Sequence, residues 1–321
     1  MIENESIIAP EVLSTLHQRR EAGESLKTLA AEVGMTWQRL WVLLISTQPK
    51  ESLPAMPTSN GLKLNPLAQR THKQFKQVLA VVQEGHMNVM LVGPAGTGKT
   101  TLAKHIANAL DRQFAFISLS AGVSETHIFG RMLPQSDGSW AYVESPFIRI
   151  YRNGGVFLFD EVDAADGNVM VSVNAALANG MLCNPITGEV IERHADCLIV
   201  TAANTYGRGG DMLYVGRNAL DGATLDRFCL TKLFIDYDTD LEYDLCKSVL
   251  NQSQTDQLFD WVKDLRRSIA DNRLRRIAST RLVEQGVKAL KAGNALVNVK
   301  ARYFQDWSRD ELAKVGEAVQ Q

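Results

Sequence analysis

The sequence has no run of about eighteen apolar residues, the shortest stretch that is read as a membrane-spanning helix. Its first residues, MIENESII, are acidic before a short apolar patch, whereas a secretory signal begins with basic residues. The formal net charge is only −2, so no overall charge attracts the chain to nucleic acid or to an anionic membrane. These absences predict a cytoplasmic protein without a membrane partner.

Cysteine is also scarce, with four residues among 321. None of them has C-x-x-C spacing, and two lie beside or within apolar runs. Buried thiols are therefore expected, rather than zinc ligands or disulfides, at Cys183, Cys197, Cys229 and Cys246.

The most informative stretch is VMLVGPAGTGKTTL, residues 89–102, in which a short apolar run leads into a glycine-rich turn and then into a helix-forming segment. It satisfies G-x-x-x-x-G-K-[ST], the pattern of a loop whose backbone amides surround the β-phosphate of a nucleotide. The lysine reaches the β- and γ-phosphates, and the hydroxyl at the next position is offered to Mg²⁺. The predicted nucleotide-binding residues are Gly93, Pro94, Ala95, Gly96, Thr97, Gly98, Lys99, Thr100 and Thr101.

A second motif, VFLFDEVD at residues 156–163, has four apolar residues that predict a buried strand. The strand brings Asp160 and Glu161 to its carboxyl end, where open α/β sheets bind their ligands. In phosphoryl-transfer sites one such acid supports Mg²⁺, together here with Thr100, and its neighbour can activate the attacking water. We therefore predict Asp160 as a metal-site residue and Glu161 as a catalytic residue.

Two further candidates follow later strands. Asn204 comes directly after an apolar run at 197–203, where its amide could contact the γ-phosphate or order the water, although asparagine is also a common turn former. Arg227, in LDRF, precedes a short strand at 232–235. A lone arginine is usually a surface charge, and the sequence around Arg227 does not by itself assign it a function.

Composition and periodicity divide the chain into a helical module (1–48), a linker (49–65), an α/β nucleotide-binding core (66–236), a helical lid (237–300) and a tail (301–321). Within the helical module, two helical patterns are separated by Gly34-Met35-Thr36, which resembles a helix-turn-helix. Residues 1–60 carry five Lys/Arg against seven Asp/Glu, however, which opposes phosphate binding. A protein-docking module and a DNA-reading module both stay open, and the charge favours docking.

The only local basic cluster lies at 263–281, with seven Lys/Arg against two Asp. Such a cluster could face nucleotide phosphates, nucleic acid, an acidic neighbouring subunit or only water.

Together these motifs resemble those of the AAA+ ATPases, and most closely those of the MoxR, CobS and CbbQ group, over residues 63–295. The matching segments are GPAGTGKTTLA (Walker A), GGVFLFDEVDAAD (Walker B), LIVTAANT (sensor 1), ATLDRF (arginine finger) and ASTR (sensor 2). Residues 127–147 resemble the helix-2 insert of this group, and residues 179–197 resemble its hairpin before sensor 1.

The resemblance implies an α/β P-loop AAA+ core with a five-stranded parallel sheet, followed by an all-α lid and preceded by a small helical module. It implies that ATP and Mg²⁺ bind, that Asn204 positions water and that Arg281 reaches the γ-phosphate from the lid. It also implies that Arg227 acts on the nucleotide of a neighbouring subunit in a homo-oligomeric ring, usually of six. Arg217, in VGRN, competes with Arg227 for that role.

These features predict an ATP hydrolase that remodels or activates a partner protein. The alternative is a nucleic-acid motor or loader that uses the N-terminal module and the 263–281 cluster. A switch that rarely hydrolyses ATP is disfavoured by Glu161 and by the intact sensor motifs.

Overall fold

The computed structural model describes residues 12, 15, 16, 19, 26–33 and 70–317. The chain divides into two compact units, residues 1–63 and residues 64–321. In the first unit, helix α1 (Leu26–Glu32) buries Leu29 and Ala30, two positions that the sequence pattern places on one apolar helix face. The turn and second helix of the helix-turn-helix prediction lie outside the described residues.

The strands of the second unit are, in chain order, β1 (Asn88–Val92), β2 (Phe114–Ser118), β3 (Arg131–Pro134), β4 (Trp140–Val143), β5 (Gly155–Asp160), β6 (Met181–Cys183), β7 (Val190–Glu192), β8 (Cys197–Ala203) and β9 (Lys232–Phe234). Five of them form a parallel sheet in the order β2-β5-β8-β1-β9. This confirms the predicted α/β fold with a five-stranded parallel sheet. The four remaining strands form two antiparallel hairpins, β3–β4 and β6–β7.

The central strands are buried on both faces, which explains why they appear in the sequence as continuous apolar runs. Along β1, Val89 and Leu91 pack into one hydrophobic cluster, and Met90 and Val92 pack into another. Strand geometry produces this alternation, because successive side chains point to opposite faces of the sheet. The sheet is thus covered on both sides, and its carboxyl edge carries the phosphate loop, the acids and Asn204.

The helices of the core are α2 (Phe75–Gln83), α3 (Lys99–Ala109), α4 (Glu125–Phe129), α5 (Pro146–Asn153), α6 (Gly167–Ala178) and α7 (Gly222–Asp226). Helix α5 anchors one face of the sheet through Phe147, whose ring centroid lies 5.1 Å from those of Phe157 and Phe159 on β5. This aromatic packing fixes the strand that ends at Asp160.

The lid consists of α8 (Thr239–Val249), α9 (Gln252–Asp271), α10 (Thr280–Lys291), α11 (Leu296–Tyr303) and α12 (Arg309–Lys314). The predicted lid boundary at residue 300 and the tail at 301–321 differ from this arrangement. Phe304 and Trp307 are buried in the lid cluster, and α12 follows them. The helical fold therefore continues through most of the segment assigned to the tail, because Phe304 packs its ring against both Trp261 and Trp307.

Two of the four cysteines are buried, Cys197 and Cys246, whereas Cys183 and Cys229 are exposed, and all four thiols are free. The expectation of buried thiols holds for the first two only, because Cys183 lies on the outer face of a hairpin. Within the described ranges, no helix has the length and the apolar character needed to cross a membrane.

Candidate functional site

The phosphate loop, residues 93–100, joins β1 to α3 at the carboxyl edge of the sheet. Gly93 fits there only as glycine, because a Cβ atom would lie 2.0 Å from the carbonyl oxygen of Ile235. Gly98 precedes the helix with a φ of 86°, a left-handed conformation that favours glycine. The loop thus presents its backbone at the amino terminus of α3, where N–H groups and the helix dipole favour a phosphate.

Lys99 is buried in this loop, with 8% of its surface exposed. Its ammonium Nζ donates to the carbonyl oxygens of Gly93 (2.7 Å) and Pro94 (2.9 Å) and to Oδ1 of Asn204 (3.1 Å). Burial lowers the pKa of Lys99 to about 8, and the charges of Asp160 and Asp163 oppose this decrease. The structure therefore brings together three of the predicted site residues, Lys99, Asp160 and Asn204.

Asp160 ends β5 and faces the phosphate loop, since its Oδ2 accepts a hydrogen bond of 2.6 Å from Oγ1 of Thr100. Its Oδ1 accepts from the backbone N–H of Glu161 at 3.0 Å. Glu161 has a φ of 57°, unusual for a residue with a side chain, and its carboxyl group is 46% exposed. The chain thus turns sharply after the strand and leaves the Glu161 carboxylate accessible beside the loop.

A side chain that the sequence analysis did not single out, Asp163, organises the neighbouring strand end. Its carboxylate has no exposed surface, and its Oδ2 accepts from the backbone N–H groups of Asn204 and Thr205 (2.9 Å each) and from Oγ1 of Thr205 (3.0 Å). The backbone at Asn204 is therefore held by the turn that follows Glu161. The only signal for Asp163 was its place in the motif VFLFDEVD, which does not distinguish it from a solvated acid.

A cleft of about 550 Å³ runs between the core and the lid. The core contributes the phosphate loop, Asp160, Glu161 and Asn204, and the lid contributes Arg281 from the start of α10. The phosphate loop and the lid lie so close together that a Cβ added at Gly96 would be 2.7 Å from Cβ of Ser279. Arg281 thus lines the same cleft as the phosphate loop.

Two tyrosines bind the backbone of the phosphate loop at Ala95. The Ala95 N–H donates to Oη of Tyr214 at 2.8 Å, and Oη of Tyr237 donates to the Ala95 carbonyl at 3.2 Å. Burial raises the pKa of both phenols, so both stay protonated at neutral pH. Neither residue belongs to a recognisable sequence pattern, and the sequence analysis missed both.

The two candidate arginines occupy different places. Arg217 lines the cleft, with its Nη2 3.6 Å from Oε1 of Glu161 and its Nη1 3.4 Å from Oδ1 of Asp163. Arg227 follows α7, is absent from the residues that line the cleft, and donates from Nη1 to the Ala223 carbonyl at 2.6 Å. Arg217 therefore lies in the cleft beside the acids, whereas Arg227 lies outside the cleft.

Part of the 263–281 basic cluster is engaged within the lid. Arg266 pairs with Glu242, Arg276 pairs with Asp306 and Glu311, and Arg281 lines the cleft. Arg266 and Arg276 are therefore not free to bind phosphates, whereas the other basic residues of the cluster are exposed at 263, 267, 273, 275 and 281. The nucleic-acid alternative stays a prediction.

The residues present fit a nucleoside triphosphate with Mg²⁺. The loop has the glycines that a close approach of phosphate requires, and Thr100 and Asp160 offer the oxygen ligands that Mg²⁺ prefers. The phosphate loop follows β1, and the paired acids follow β5, which lies two places from β1 in the parallel sheet. With a helical lid over the cleft, these features form an α/β P-loop fold of the AAA type that carries the residues expected of an ATP hydrolase.

Comparison with protein families supports the AAA fold. Residues 88–228 match the family model of the AAA domain (dynein-related subfamily). An uncharacterised protein of Staphylococcus haemolyticus is 26% identical over 191 residues, 56% of this chain and 68% of that protein. An uncharacterised Staphylococcus aureus protein is 25% identical over the same coverage. A crystal structure of a "putative ATPase" from Cytophaga hutchinsonii aligns with a TM-score of 0.44 and 15% identity over 64% of each chain, so that this chain spans less than two thirds of its length.

Proposed function

We propose that this protein is a ring-forming AAA+ ATPase of the MoxR, CobS and CbbQ type, which couples ATP hydrolysis to remodelling or activation of a partner protein. The observation that carries the proposal is the pair of hairpins, which do not join the parallel sheet of the core. Both present apolar side chains to solvent: Trp140 is 63% exposed on the first hairpin and Val190 is 62% exposed on the second. Exposed apolar groups of this kind are typical of surfaces that bind other proteins.

Contacts connect these hairpins to the strand that carries the acids. Buried Asn184, after β6, donates from Nδ2 to Oη of Tyr142 on β4 at 2.8 Å, which joins the two hairpins. Arg152 on α5 pairs with Glu189 beside β7 at 2.6 Å. Since α5 packs on β5, a displacement at Asp160 and Glu161 can be transmitted to both hairpins through packed elements.

In this proposal the loop and Lys99 bind the triphosphate, and Thr100 and Asp160 hold Mg²⁺. When bound, Mg²⁺ supplies neutralisation of the charge on the β- and γ-phosphate oxygens. Glu161, accessible beside the loop, accepts the proton of the attacking water, and Asn204 orients that water. Arg281 contacts the γ-phosphate from the lid.

Arg227 completes the site of a neighbouring subunit. Its position outside its own cleft supports this role, and the position of Arg217 inside the cleft argues against the main competitor. An arginine finger supplied in trans contributes on the order of 10³–10⁵ in rate in related phosphoryl-transfer systems. A monomer should therefore be nearly inactive, and turnover per subunit should rise with protein concentration as rings form.

The first test compares Lys99→Ala with Glu161→Gln. The lysine variant should lose ATP binding, because it removes contacts made to the bound phosphates. The glutamate variant should bind ATP and lose hydrolysis, because it removes only the proton acceptor. Full turnover by the Glu161→Gln protein would reject the assignment of Glu161.

The second test mixes two inactive proteins, Arg227→Ala and Glu161→Gln. Each lacks what the other supplies, so some interfaces in mixed rings contain both an intact Glu161 and an intact Arg227. Activity recovered on mixing supports action in trans. The control replaces Arg227→Ala by Arg208→Ala, which removes another exposed arginine. Concentration-independent turnover by a proven monomer would reject the ring.

The third test concerns the partner protein. The Glu161→Gln variant should retain ATP and partner together, so a pull-down with it should capture the partner. Shortening the two hairpin turns, 133–138 and 185–188, should abolish partner-dependent work while ATP hydrolysis persists. Undiminished work by the doubly shortened protein would exclude the hairpins as the contact surface.

A further inference from the structure

The segment between β8 and α7, residues 204–221, contributes Asn204, Tyr214 and Arg217 to the lining of the cleft, and hydrogen bonds hold it at two points. Oη of Tyr214 accepts from the Ala95 N–H of the phosphate loop at 2.8 Å. The Asn218 N–H donates to the Asp163 carbonyl at 2.7 Å, and its Nδ2 donates to the Ala165 carbonyl at 2.8 Å. Arg217 lies between the two hydrogen-bonded residues Tyr214 and Asn218, so its guanidinium is held beside both the phosphate loop and the acids.

The guanidinium of Arg217 pairs loosely with two carboxylates. Its Nη2 lies 3.6 Å from Oε1 of Glu161, and its Nη1 lies 3.4 Å from Oδ1 of Asp163. A charge-assisted hydrogen bond is about 2.8 Å long, so neither contact has this strength. Among the described residues, the buried Oδ1 of Asp163 has no hydrogen-bond donor. The arginine side chain is only 16% exposed and can donate up to five hydrogen bonds, so a stronger acceptor in the cleft would compete for it.

A γ-phosphate is such an acceptor, because its oxygens match the planar fork and the charge of a guanidinium. We propose that Arg217 is a γ-phosphate reader of its own subunit, which exchanges its pairing with Glu161 for the terminal phosphate of ATP. The exchange has two consequences. It adds binding energy for ATP that ADP cannot obtain, and it releases the Glu161 carboxylate to accept the proton of the attacking water.

This inference rests on the assignments of the phosphate loop and Glu161, and not on the ring or the partner protein. It differs from the role proposed for Arg281, which approaches from the lid and has no described ion pair with Glu161. Arg217 belongs to the core and competes with the catalytic acid itself. ATP binding and activation of Glu161 are therefore two results of one side-chain movement.

The test is a double-mutant cycle on binding. Affinities for a non-hydrolysable ATP analogue and for ADP are measured by titration calorimetry with Mg²⁺ on the full chain, for the original protein, Arg217→Ala, Glu161→Gln and the double variant. Arg217→Ala should weaken the ATP analogue about 10- to 100-fold, the range of one or two hydrogen bonds to a charged group, and change ADP affinity less than about threefold. Glu161→Gln should tighten the ATP analogue, because the competitor loses its charge, but only while Arg217 is present.

Arg208→Ala is the matched control, because this arginine belongs to the same segment, is exposed and does not line the cleft. It should leave both affinities unchanged. If Arg217→Ala does not fold, Arg217→Lys replaces it in the cycle, and a single ammonium should retain only part of the preference for the ATP analogue.

Three results would overturn the proposal. Equal weakening of the ATP analogue and ADP by Arg217→Ala would make Arg217 a structural counter-ion for Asp163. An equal effect of Glu161→Gln with and without Arg217 would exclude competition between them. Unchanged ATP-analogue affinity in Arg217→Ala, with turnover restored on mixing with Glu161→Gln, would move Arg217 to a neighbouring site.

Discussion

The ion pair between Glu242 and Arg266 provides a quantitative test of how the lid is held together. Glu242 on α8 is 1% exposed and accepts two hydrogen bonds from Arg266 on α9, at 2.6 and 2.8 Å, and one from Oγ1 of Thr280 on α10 at 2.5 Å. The arginine also donates from Nε to the Ala278 carbonyl at 2.6 Å and lies over the ring of Tyr237 at 4.0 Å. One carboxylate thus joins three helices.

Arg266→Ala leaves the Glu242 carboxylate buried without its counter-charge. Removing one member of a buried pair costs about 3–5 kcal/mol, and we expect the free energy of unfolding of the lid to fall by that amount. Arg267→Ala, whose side chain is 65% exposed and faces Asp264 at 3.5 Å, should change it by less than about 0.5 kcal/mol. The two substitutions remove the same side chain from adjacent positions, so the difference measures burial and pairing.

The measurement is equilibrium urea unfolding of the full chain, followed by circular dichroism and tryptophan fluorescence, since Trp261 and Trp307 lie in the lid cluster. A Glu242→Ala/Arg266→Ala double variant should lose less stability than the sum of the two single variants, because it leaves no unpaired charge. A loss of less than about 1 kcal/mol in Arg266→Ala, or a double variant worse than the sum, would refute the reasoning.

Three further predictions concern the loop, the hairpins and the end of the lid. Gly93→Ala should abolish ATP binding and lower the melting temperature, because its Cβ would collide with a carbonyl oxygen beside β9. Gly122→Ala should do neither, because its Cβ would have its nearest neighbour at 4.0 Å. Asn184→Leu should lower the free energy of unfolding by about 1–3 kcal/mol, because it removes a buried hydrogen bond. It should also accelerate amide exchange in both hairpins together, and faster exchange in one hairpin alone would contradict their coupling. The hydrogen bonds from Arg276 lower the pKa of Glu311 to about 2. The stability that the Glu311 carboxylate provides relative to Glu311→Gln should therefore be complete above about pH 5 and disappear between about pH 4.5 and pH 2. A stability difference that does not change with pH would contradict this ionic origin.

The elements of the fold that the sequence predicted well are those in which local pattern and tertiary environment agree. Strand β8 was predicted at its observed bounds, 197–203, because a strand buried on both faces requires an uninterrupted apolar run. The meeting of the phosphate loop, Asp160, Glu161 and Asn204 was predictable for a related reason. Parallel strands bring residues at their carboxyl ends to one edge of the sheet, whatever their separation in sequence.

Residues whose partners are distant in sequence were not predictable in this way. The sequence shows how many basic residues the 263–281 cluster has, but it does not show their acidic partners. Glu242 precedes Arg266 by 24 residues, and Glu311 follows Arg276 by 35. The end of the lid was predicted as a tail, because α12 has six residues, too few to show a helical period, and it is stabilised by a capping box between Ser308 and Glu311.

The segment at 204–221 has no repeating pattern at all. Tyr214 and Arg217 could not be placed from sequence, since an irregular segment takes its shape from contacts such as the one with Ala95. The same holds for Asp163, which no motif distinguishes from its acidic neighbours.

The bonds of Asp163 have a consequence for how this site can change during evolution. Most of them go to main-chain N–H groups, at residues 204 and 205, which every amino acid except proline provides. The side chain at position 204 can therefore vary between homologues without loosening the link between the two strand ends. Asp163 has no such freedom, because its carboxylate supplies the acceptor. The buried acid is accordingly required for the architecture of the site, whereas the side chain at position 204 is required for its contact with Lys99 and for its proposed role in the chemistry.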